Sequence, residues 1–464
     1  MTRKSTWFSV VLGLGSLAVL LIALGAAREP AQADPDGEAR VCPAGPPTCD
    51  FGTIQEAVDA AAPGDVIKVA DGTYTDMHTR PIPVNYYAPP ASGIITQIVY
   101  VTKSLTIRGG YAPGNWVTSD PDAYLTVLDA QGQGRAVVVA DDVSVTLESL
   151  TLTGGDALGL FGDVGGDAGG ALFARGPAPW QHLELSVVRC AVVDNQADTG
   201  GGIYAGSADG ITILNSEIIS NMSTDWGGGL YMVSVGESYM GNNRIQNNSA
   251  ARSGGGLVLN WVYDASLRGN RVVSNTAGTN GGGMRLSRSE IEMVNNIVAL
   301  NAADHAGDGV YVSGWANAPQ ELTMIHNTIV QNDRGAGDSE AVYVNYRTEV
   351  TLTNTIIASH TLGIGVTPAS SNTVTADHTL FFGNTEDTSG AVITSTNEIT
   401  GSDPDFVNPP AYDFHLHRDS PAVDAGIPVP AVTTDIDGHT RDAYPDIGAD
   451  EVVVRKIHLP LIIR

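Results

Sequence analysis

Short runs that alternate apolar and polar residues dominate the chain between residues 165 and 345. Segments such as "LVLN", "ASLR" and "RVVSN" are rich in β-branched residues and are separated by Gly, Asn, Ser and Thr. None of these runs has the length and the period of a helix. The pattern therefore predicts an all-β protein built from short strands.

A glycine mark precedes one strand of each group. Its copies, aligned on their last Gly, are "GGALFA" at Gly170, "GGGIYA" at Gly202, "GGGLYM" at Gly229, "GGGLVL" at Gly256, "GGGMRL" at Gly283 and "GDGVYV" at Gly309. The intervals between them are 32, 27, 27, 27 and 26 residues, and a degenerate copy, "EAVYV", follows at Ala341. A repeat of about 27 residues is too short for a propeller blade, which needs about 40.

An Asn at the end of an apolar run forms a second mark with nearly the same period. Its copies are Asn195, Asn221, Asn247, Asn275, Asn301 and Asn332. About three strands fit each repeat, and one repeat cannot bury its own apolar face, so copies must stack with equivalent strands in parallel about 4.8 Å apart. We therefore predict a single-stranded parallel β-helix, and we expect these Asn residues to form a structural ladder, with αL backbone at corners and side-chain amides bonded along the axis.

The paired "GGGIY" and Asn marks resemble the right-handed β-helix family of the pectin lyase-like fold, especially repeats of polymorphic outer-membrane and adhesin-like proteins. The segment "TIQEAVDAAAPGDVIKVADGTY" at 53–74 resembles the entry of such proteins, which implies an amphipathic N-terminal cap helix with Ile54, Ala57 and Val58 on its apolar face. "GSDPDFVNPPAYDFHLHRDSPAVDAG" and "DIDGHTRDAYPDIGADE" resemble the closing module of bacterial secreted β-helix proteins. The repeat period of about 27 residues predicts about 12 coils over 53–400, with core repeats at 165–345. The resemblance implies a closing module and tail at 401–464.

The N-terminus has the layout of a secretory signal. Arg3 and Lys4 precede an apolar run that reaches "AQA" at 31–33, which predicts a signal peptide over 1–33 and a secreted or cell-surface protein, with an uncleaved membrane anchor as the alternative. In an exported chain, Cys42 and Cys49 of segment 34–52 are expected to form a disulfide. Cys190 lies in an apolar context and is expected to be a buried free thiol.

The charge balance limits the classes of partner. The formal net charge is −27, which disfavours nucleic acid and anionic membrane surfaces. We expect a monomer, with a polysaccharide or a cell-surface glycan as its partner and Ca²⁺ as the only cofactor to consider.

Alternation along each strand identifies the residues that should face outward from the coil. They are Leu172, Tyr204, Tyr231, Val258, Arg285, Tyr311 and Tyr343. The tyrosines, with Trp226 beside them, predict a partly aromatic strip that a glycan could contact, although Tyr also packs well on a sheet without any ligand. Arg285 interrupts the strip.

A corner position four residues before the last Gly supplies the candidates for catalysis. It holds Asp198, Asp225, Arg252 and Thr279 in successive repeats, and His305 follows one coil later. Carboxylates and an Arg at this spacing could bind Ca²⁺ and act on a uronic acid, as in polysaccharide lyases of this fold. The R-x-P-x-x-R motif of pectate lyases and the G-H-G and N-T-D motifs of polygalacturonases are missing, so turn chemistry is the competing explanation.

The closing module contains an acidic group. Asp435, Asp437 and Asp446 are candidate Ca²⁺ ligands, with Asp450 and Glu451 nearby, but "DIDG" lacks the full spacing of a calcium loop and salt bridging to Arg441 is the alternative. The sequence thus favours a non-catalytic glycan- or surface-binding protein of adhesion type. A lyase or hydrolase acting on acidic polysaccharide and a purely structural surface protein remain the alternatives.

Overall fold

The computed structural model describes residues 37–81, 94–160, 167–177, 182–315, 320–332, 339–368, 371–390 and 392–453. They belong to one compact unit. The predicted signal peptide, 1–33, and the tail "KIHLPLIIR" lie outside the described residues. In the part of the chain that is described, no helix is long and apolar enough to cross a membrane.

The chain winds as a parallel β-solenoid of about 12 coils. Equivalent strands of successive coils stack into four sheets, which we number 1 to 4 in chain order. Each full coil has a strand in sheet 1, a bend, a strand in sheet 2, a corner and a short strand in sheet 3. A second corner follows and, in the central coils, a strand in sheet 4. Equivalent strands pair in parallel, so that Ile203 lies opposite Leu230 and Leu230 opposite Leu257. The predicted all-β fold and its stacking are confirmed.

Sheets 1 and 2 are joined by three long strands, Ile203–Leu214, Leu230–Gly241 and Leu257–Arg268, which pass through the bend. The other strands of sheet 1 are His78–Pro81, Ile94–Val101, Arg135–Ala140, Leu172–Arg175, Met284–Ser287, Val310–Ser313, Glu340–Asn345, Leu362–Val366 and Glu386–Gly390. Those of sheet 2 are Glu38–Val41, Val66–Ala70, Leu105–Tyr111, Val143–Glu148, Leu183–Val188, Glu290–Val294, Gln320–Ile325, Thr348–Thr353, Thr373–Asp377 and Ile393–Thr396.

Sheets 3 and 4 close the coil. Sheet 3 consists of Gly72–Tyr74, Thr126–Asp129, Thr151–Thr153, Ala191–Val193, Glu217–Ile219, Arg244–Gln246, Arg271–Val273, Ile297–Ala299, Thr328–Val330, Ile356–Ala358, Leu380–Phe382 and Ile399–Thr400. Sheet 4 consists of Gln196–Thr199, Met222–Trp226, Ser249–Ala250, Thr276–Ala277 and Ala302–Ala303. Inward-facing Val, Ile, Leu and Met side chains from successive coils form one continuous core.

The asparagine ladder runs along the corner between sheets 3 and 4. Each amide nitrogen donates to the side-chain oxygen of the next Asn at 2.8–3.0 Å, and the members are Asn195, Asn221, Asn248, Asn275, Asn301 and Asn332. The prediction of Asn247 was wrong, because Asn247 is exposed and occupies the preceding corner residue with φ 55°. That preceding residue takes the αL backbone in each coil, so the ladder Asn supplies hydrogen bonds and its neighbour supplies the turn.

A second ladder, which the sequence analysis missed, follows the corner between sheets 2 and 3. Its members are Ser216, Asn243, Asn270, Asn296 and Asn327, and the asparagines bond one another at 2.9–3.0 Å. Both ladders are buried. Each corner therefore satisfies its backbone and amide groups inside the protein, as burial requires.

The glycine triplet has two separate steric roles. In "NGGGMRL", Gly281 has φ 68°, a conformation that favours glycine. Gly283 lies against the next coil, where an added Cβ would stand 2.7 Å from the carbonyl oxygen of Gly309 and 3.0 Å from the Asn301 amide. The triplet turns the chain and lets successive coils approach beside the ladder.

The N-terminal part adds a helix and a disulfide. The helix Ile54–Ala60 begins with a capping box between Thr53 and Glu56, and it buries Ile54, Ala57 and Val58. Its role as a cap of the solenoid stays a prediction. A disulfide joins Cys42 and Cys49.

The C-terminal segment, 406–453, lies against the outer surface of sheet 3. It contains the antiparallel strands Phe406–Asn408 and Asp413–Leu416, joined by the 3₁₀ turn Pro409–Ala411. Phe414, Ile436 and Ile447 pack on outward-facing residues of sheet 3, among them Ile297, Val330, Ile356 and Leu380. Arg441 donates to Asn295 at 2.9 Å, and Asn354 donates to the carbonyl of Ile427 at 2.7 Å, so both apolar and polar contacts attach the segment to the side of the solenoid.

Candidate functional site

The outward column of sheet 1 is aromatic in its first coils. Phe173, Tyr204 and Tyr231 occupy equivalent positions on adjacent strands. The prediction that Leu172 faces outward was wrong: it pairs with Ile203 and lies in the core. In this copy Ala171 replaces the last Gly of the mark, which shifts the alignment by one residue.

These rings stack on each other. The centroid distances are 5.2 Å between Phe173 and Tyr204 and 5.8 Å between Tyr204 and Tyr231, with planes within 11° of parallel. Tyr204 is only 5% exposed, and burial raises its pKa. A sugar needs an exposed ring face, and stacked neighbours cover the faces of Tyr204, so the structure does not present it as a glycan contact.

A second pair of stacked rings lies further along the column. Tyr311 and Tyr343 stack at 5.7 Å, and Tyr311 is 7% exposed. The Tyr311 hydroxyl accepts a hydrogen bond from Asn345 at 2.7 Å, and the Tyr343 hydroxyl accepts one from Thr367 at 3.0 Å. This pair is also chiefly part of the packing of sheet 1.

Arg285 fills the interruption between the two stacks. Its guanidinium carbon lies 4.3 Å from the ring centroid of Trp226 and 5.2 Å from that of Tyr311. Nη1 donates to the Ser253 hydroxyl at 3.2 Å, and the buried Nε has no hydrogen-bond partner among the described residues. Arg285 is partly buried, and this burial lowers the pKa of its guanidinium.

A similar arrangement stands at the bend between sheets 1 and 2. The guanidinium carbon of Arg288 lies 4.4 Å from the Trp315 centroid and 5.2 Å from the Trp261 centroid. Trp315 is 51% exposed. These three residues were not among the predicted site residues, although positions 261, 288 and 315 follow each other at 27-residue intervals and the repeat itself could have identified them.

These side chains form one surface, which we call the arginine–tryptophan patch. Its members are Trp226, Arg252, Trp261, Arg285, Arg288 and Trp315. Arg285 and Arg288 are three residues apart on one coil, hence about 10 Å along the chain direction, and the patch spans about four coils. Among the described residues, neither of these two arginines has a carboxylate within salt-bridge distance, which is notable in a chain of net charge −27.

The predicted corner column exists as a row of neighbouring residues on successive coils, and a catalytic role for it stays a prediction. Backbone hydrogen bonds connect Asp225, Arg252, Thr279 and His305 in successive coils. Arg252 forms an exposed ion pair with Asp225 at 3.0 Å and lies 5.5 Å from the Trp226 centroid. Asp198 accepts a hydrogen bond from Thr224 at 2.6 Å, and both Asp198 and His305 are exposed. Asp225 thus offsets the charge of Arg252, which therefore contributes less positive charge to the patch than Arg285 and Arg288.

A groove on sheet 2 has the opposite electrostatic character. It has a volume of about 460 Å³ and is lined by Glu184, Leu185, Ser186, Gly210, Ile211, Thr212, Glu237, Ser238, Tyr239, Asp264 and Ser266. Glu237 and Asp264 are neighbours on adjacent strands, and no Lys or Arg lines the groove. It would repel an anionic ligand.

The buried thiol and the acidic group of the C-terminal segment complete the set of candidates. Burial raises the pKa of Cys190 to about 12, so it is not a nucleophile. The N–H of Asp437 donates to Asp435 at 3.0 Å. Asp446 instead accepts from the backbone of Asp424 and Val452 at 2.8 and 2.7 Å, and burial raises its pKa to about 7. The three predicted Ca²⁺ ligands therefore do not form one site.

Comparisons with known proteins address the fold. Solved structures similar to this chain include the periplasmic alginate epimerase AlgG, with 9% identity, a TM-score of 0.40, and coverage of 78% of this chain and 72% of that one. A mutant of that enzyme gives 8% identity, a TM-score of 0.42, and coverage of 78% and 73%. Pectate lyase Pel9A gives 12% identity, a TM-score of 0.40, and coverage of 89% and 96%. Among curated protein sequences, none matches this chain.

A family model adds the handedness of the solenoid. Residues 181–339 match the model described as a right handed beta helix region. The matched region contains both ladders, from Asn195 to Asn332 and from Ser216 to Asn327, and the whole arginine–tryptophan patch. Residues 181–339 are accordingly similar to the right-handed β-helix family, and they form the central part of the solenoid.

Proposed function

We propose that this protein is a non-catalytic, extracellular glycan-binding protein of adhesion type that holds anionic polysaccharide on its arginine–tryptophan patch. The observation that carries the proposal is the pair of arginines, Arg285 and Arg288, each lying against two aromatic rings without a described carboxylate partner. A guanidinium that contacts a ring through its face keeps its N–H edges for other bonds, and those edges match a carboxylate or a sulfate.

The neighbouring tryptophans complete the chemistry of a sugar site. Trp315 is half-exposed at the bend, and Trp261 and Trp226 are partly exposed. Their apolar rings suit the C–H faces of a sugar, while Arg285 and Arg288 supply charge. A flat surface formed by parallel strands also allows a linear chain to lie across several coils.

The binding test uses the full chain on a panel of immobilised polysaccharides that includes uronate polymers, sulfated polymers and neutral glucans. We expect retention on one or more anionic polymers, and at least a hundredfold loss of affinity in the double variant Arg285→Ala, Arg288→Ala. The matched control is Arg418→Ala, an exposed arginine of the C-terminal segment, which should bind as the unmodified chain does.

The acidic groove on sheet 2 is the competing binding site, and variants of its carboxylates test it. If Glu237→Gln with Asp264→Asn abolishes retention while the arginine double variant does not, the patch is not the site. Retention on neutral glucans alone would also contradict the proposal. The lyase alternative is tested in the same samples: release of unsaturated ends from a uronate polymer in the presence of Ca²⁺ would show catalysis.

A further inference from the structure

Two histidines and several aspartates lie close together in the C-terminal segment, which packs on sheet 3 and contains no residue of the arginine–tryptophan patch. One group consists of His415, Asp437 and Asp450, whose ligand atoms all lie within 4.8 Å of one another. A second group, Asp435, Asp437 and His439, shares Asp437 with the first. We propose that His415, Asp437 and Asp450 bind a divalent transition-metal ion of the Zn²⁺ class.

The orientation of His415 supports a metal ligand. Its Nδ1 is 2.5 Å from Asp413 Oδ1, and its Nε2 is 2.5 Å from Asp437 Oδ2. A ligating His almost always has its other ring nitrogen held by a carboxylate, carbonyl or water, which fixes the tautomer and the direction of the ring. Asp413 serves in that role, and Nε2 would give up its proton and its hydrogen bond to Asp437 in exchange for the metal ion.

Hydrogen bonds to neighbouring groups also fix the orientation of the two proposed carboxylate ligands. Asp450 is 7% exposed, and one of its oxygens accepts the N–H of Leu416 at 2.8 Å. Asp437 Oδ1 accepts from Arg271 of sheet 3 at 3.3 Å, which leaves Oδ2 on the side of His415. Three side chains from separate stretches of the segment are thus positioned by their neighbours toward one point.

The ligand set selects the class of ion. Imidazole nitrogen with carboxylate oxygen suits Zn²⁺ and other first-row divalent ions, whereas Ca²⁺ takes six to eight oxygens. Asp413, Asp437 and Asp450 bring three carboxylates together against Arg271 and one imidazole, and a divalent cation would compensate that charge. The predicted Ca²⁺ ligand Asp446 takes no part.

The test measures metal binding by the full chain after dialysis against a chelator. Calorimetric titration with Zn²⁺ should give one equivalent per chain, and Zn²⁺ should raise the midpoint of thermal unfolding. His415→Ala should lose at least a hundredfold in affinity, and Asp413→Ala, which removes only the carboxylate behind His415, should lose about 10- to 100-fold. His439→Ala is the matched control and should retain affinity within about threefold.

Several results would overturn the assignment. They are the absence of Zn²⁺ binding at micromolar ion, equal binding by His415→Ala, dependence on His439 instead of His415, and displacement of Zn²⁺ by an equal concentration of Ca²⁺. Circular dichroism of each variant separates a lost ligand from a lost fold. Glycan retention is not used as a readout, so this test and the test of the patch fail independently.

Discussion

Two regions of the solenoid surface use aromatic side chains in opposite ways: the first coils of the outward column on sheet 1, and the arginine–tryptophan patch that extends from this column to the bend. In the coils of Phe173, Tyr204 and Tyr231, each ring repeats at the same position, and the rings cover each other's faces. On the single coil that carries Arg285 and Arg288, two partly exposed guanidinium groups lie against rings of neighbouring coils. A regular aromatic column produces packing, and its interruption by arginine produces a surface suited to a ligand.

The two regions should differ most in how much the removal of a ring lowers the free energy of unfolding. Tyr204→Ala removes a buried ring from the middle of the stack, which should lower the free energy of unfolding by about 3 kcal/mol. Urea denaturation followed by circular dichroism measures it, with Tyr263→Ala, a 66% exposed ring, as the control. If Tyr204→Ala kept its stability but lost glycan retention, Tyr204 would be a ligand contact and not a packing residue, which would contradict the comparison.

Exchange of the arginine for another cation tests how the second region works. Arg288→Lys keeps the charge but loses the planar fork and its stacking between two indoles, so affinity for an anionic polysaccharide should fall about tenfold, or about 1.4 kcal/mol. Surface plasmon resonance on the immobilised polymer measures this loss. Unchanged affinity would mean that charge alone attracts the ligand. The unfolding midpoint should stay where it is for the unmodified chain.

Removal of one ring from the patch should have a smaller effect. Trp315 is half-exposed, and its contact with Arg288 is worth about 0.5–1 kcal/mol at such a site. Trp315→Ala should therefore weaken glycan binding two- to fivefold and leave urea stability within about 0.5 kcal/mol. A loss of stability as large as that of Tyr204→Ala would show that the patch is packing as well.

Added salt should give the smallest effect, because it should weaken glycan binding at the arginine–tryptophan patch and leave the packing of the stacked rings unchanged. The attraction between exposed charges decays over about 10 Å at 0.1 M salt and over a shorter distance at higher salt. The packing of buried, uncharged rings does not depend on this screening. Raising NaCl through several hundred millimolar should weaken retention of the anionic glycan by a few-fold. The difference in unfolding free energy between the unmodified chain and Tyr204→Ala should not change.

The repeat, its period and the direction of the strands follow from the sequence because both marks encode steric requirements. Only glycine fits beside the ladder at Gly283, and a buried amide must find its partner one coil away. The error at Asn247 arose because Asn247 and Asn248 are adjacent and only one of them can face inward. Counting 27 residues from Asn221 or back from Asn275 selects Asn248, whereas matching the letters does not.

The candidate sites were less predictable because they depend on contacts between coils or between distant segments. Arg285 read as an interruption of the tyrosine strip, and its contacts with Trp226 and Tyr311 involve residues 59 and 26 positions away in the sequence. His415, Asp437 and Asp450 show no common spacing and meet only because the C-terminal segment folds on itself. No period in the chain encodes that meeting.

The cover that the C-terminal segment places on sheet 3 has a consequence for the order in which the molecule can be completed. Coils of a solenoid can assemble as soon as the neighbouring coils have folded. The outward apolar residues of the later coils, such as Ile297, Val330 and Ile356, become buried only when Phe414, Ile436 and Ile447 pack on them. Until those last residues emerge, a growing or truncated chain exposes an adhesive apolar stripe. A solenoid that this segment covers therefore differs, to a chaperone, a protease or another copy of itself, from one whose sheet 3 is still exposed.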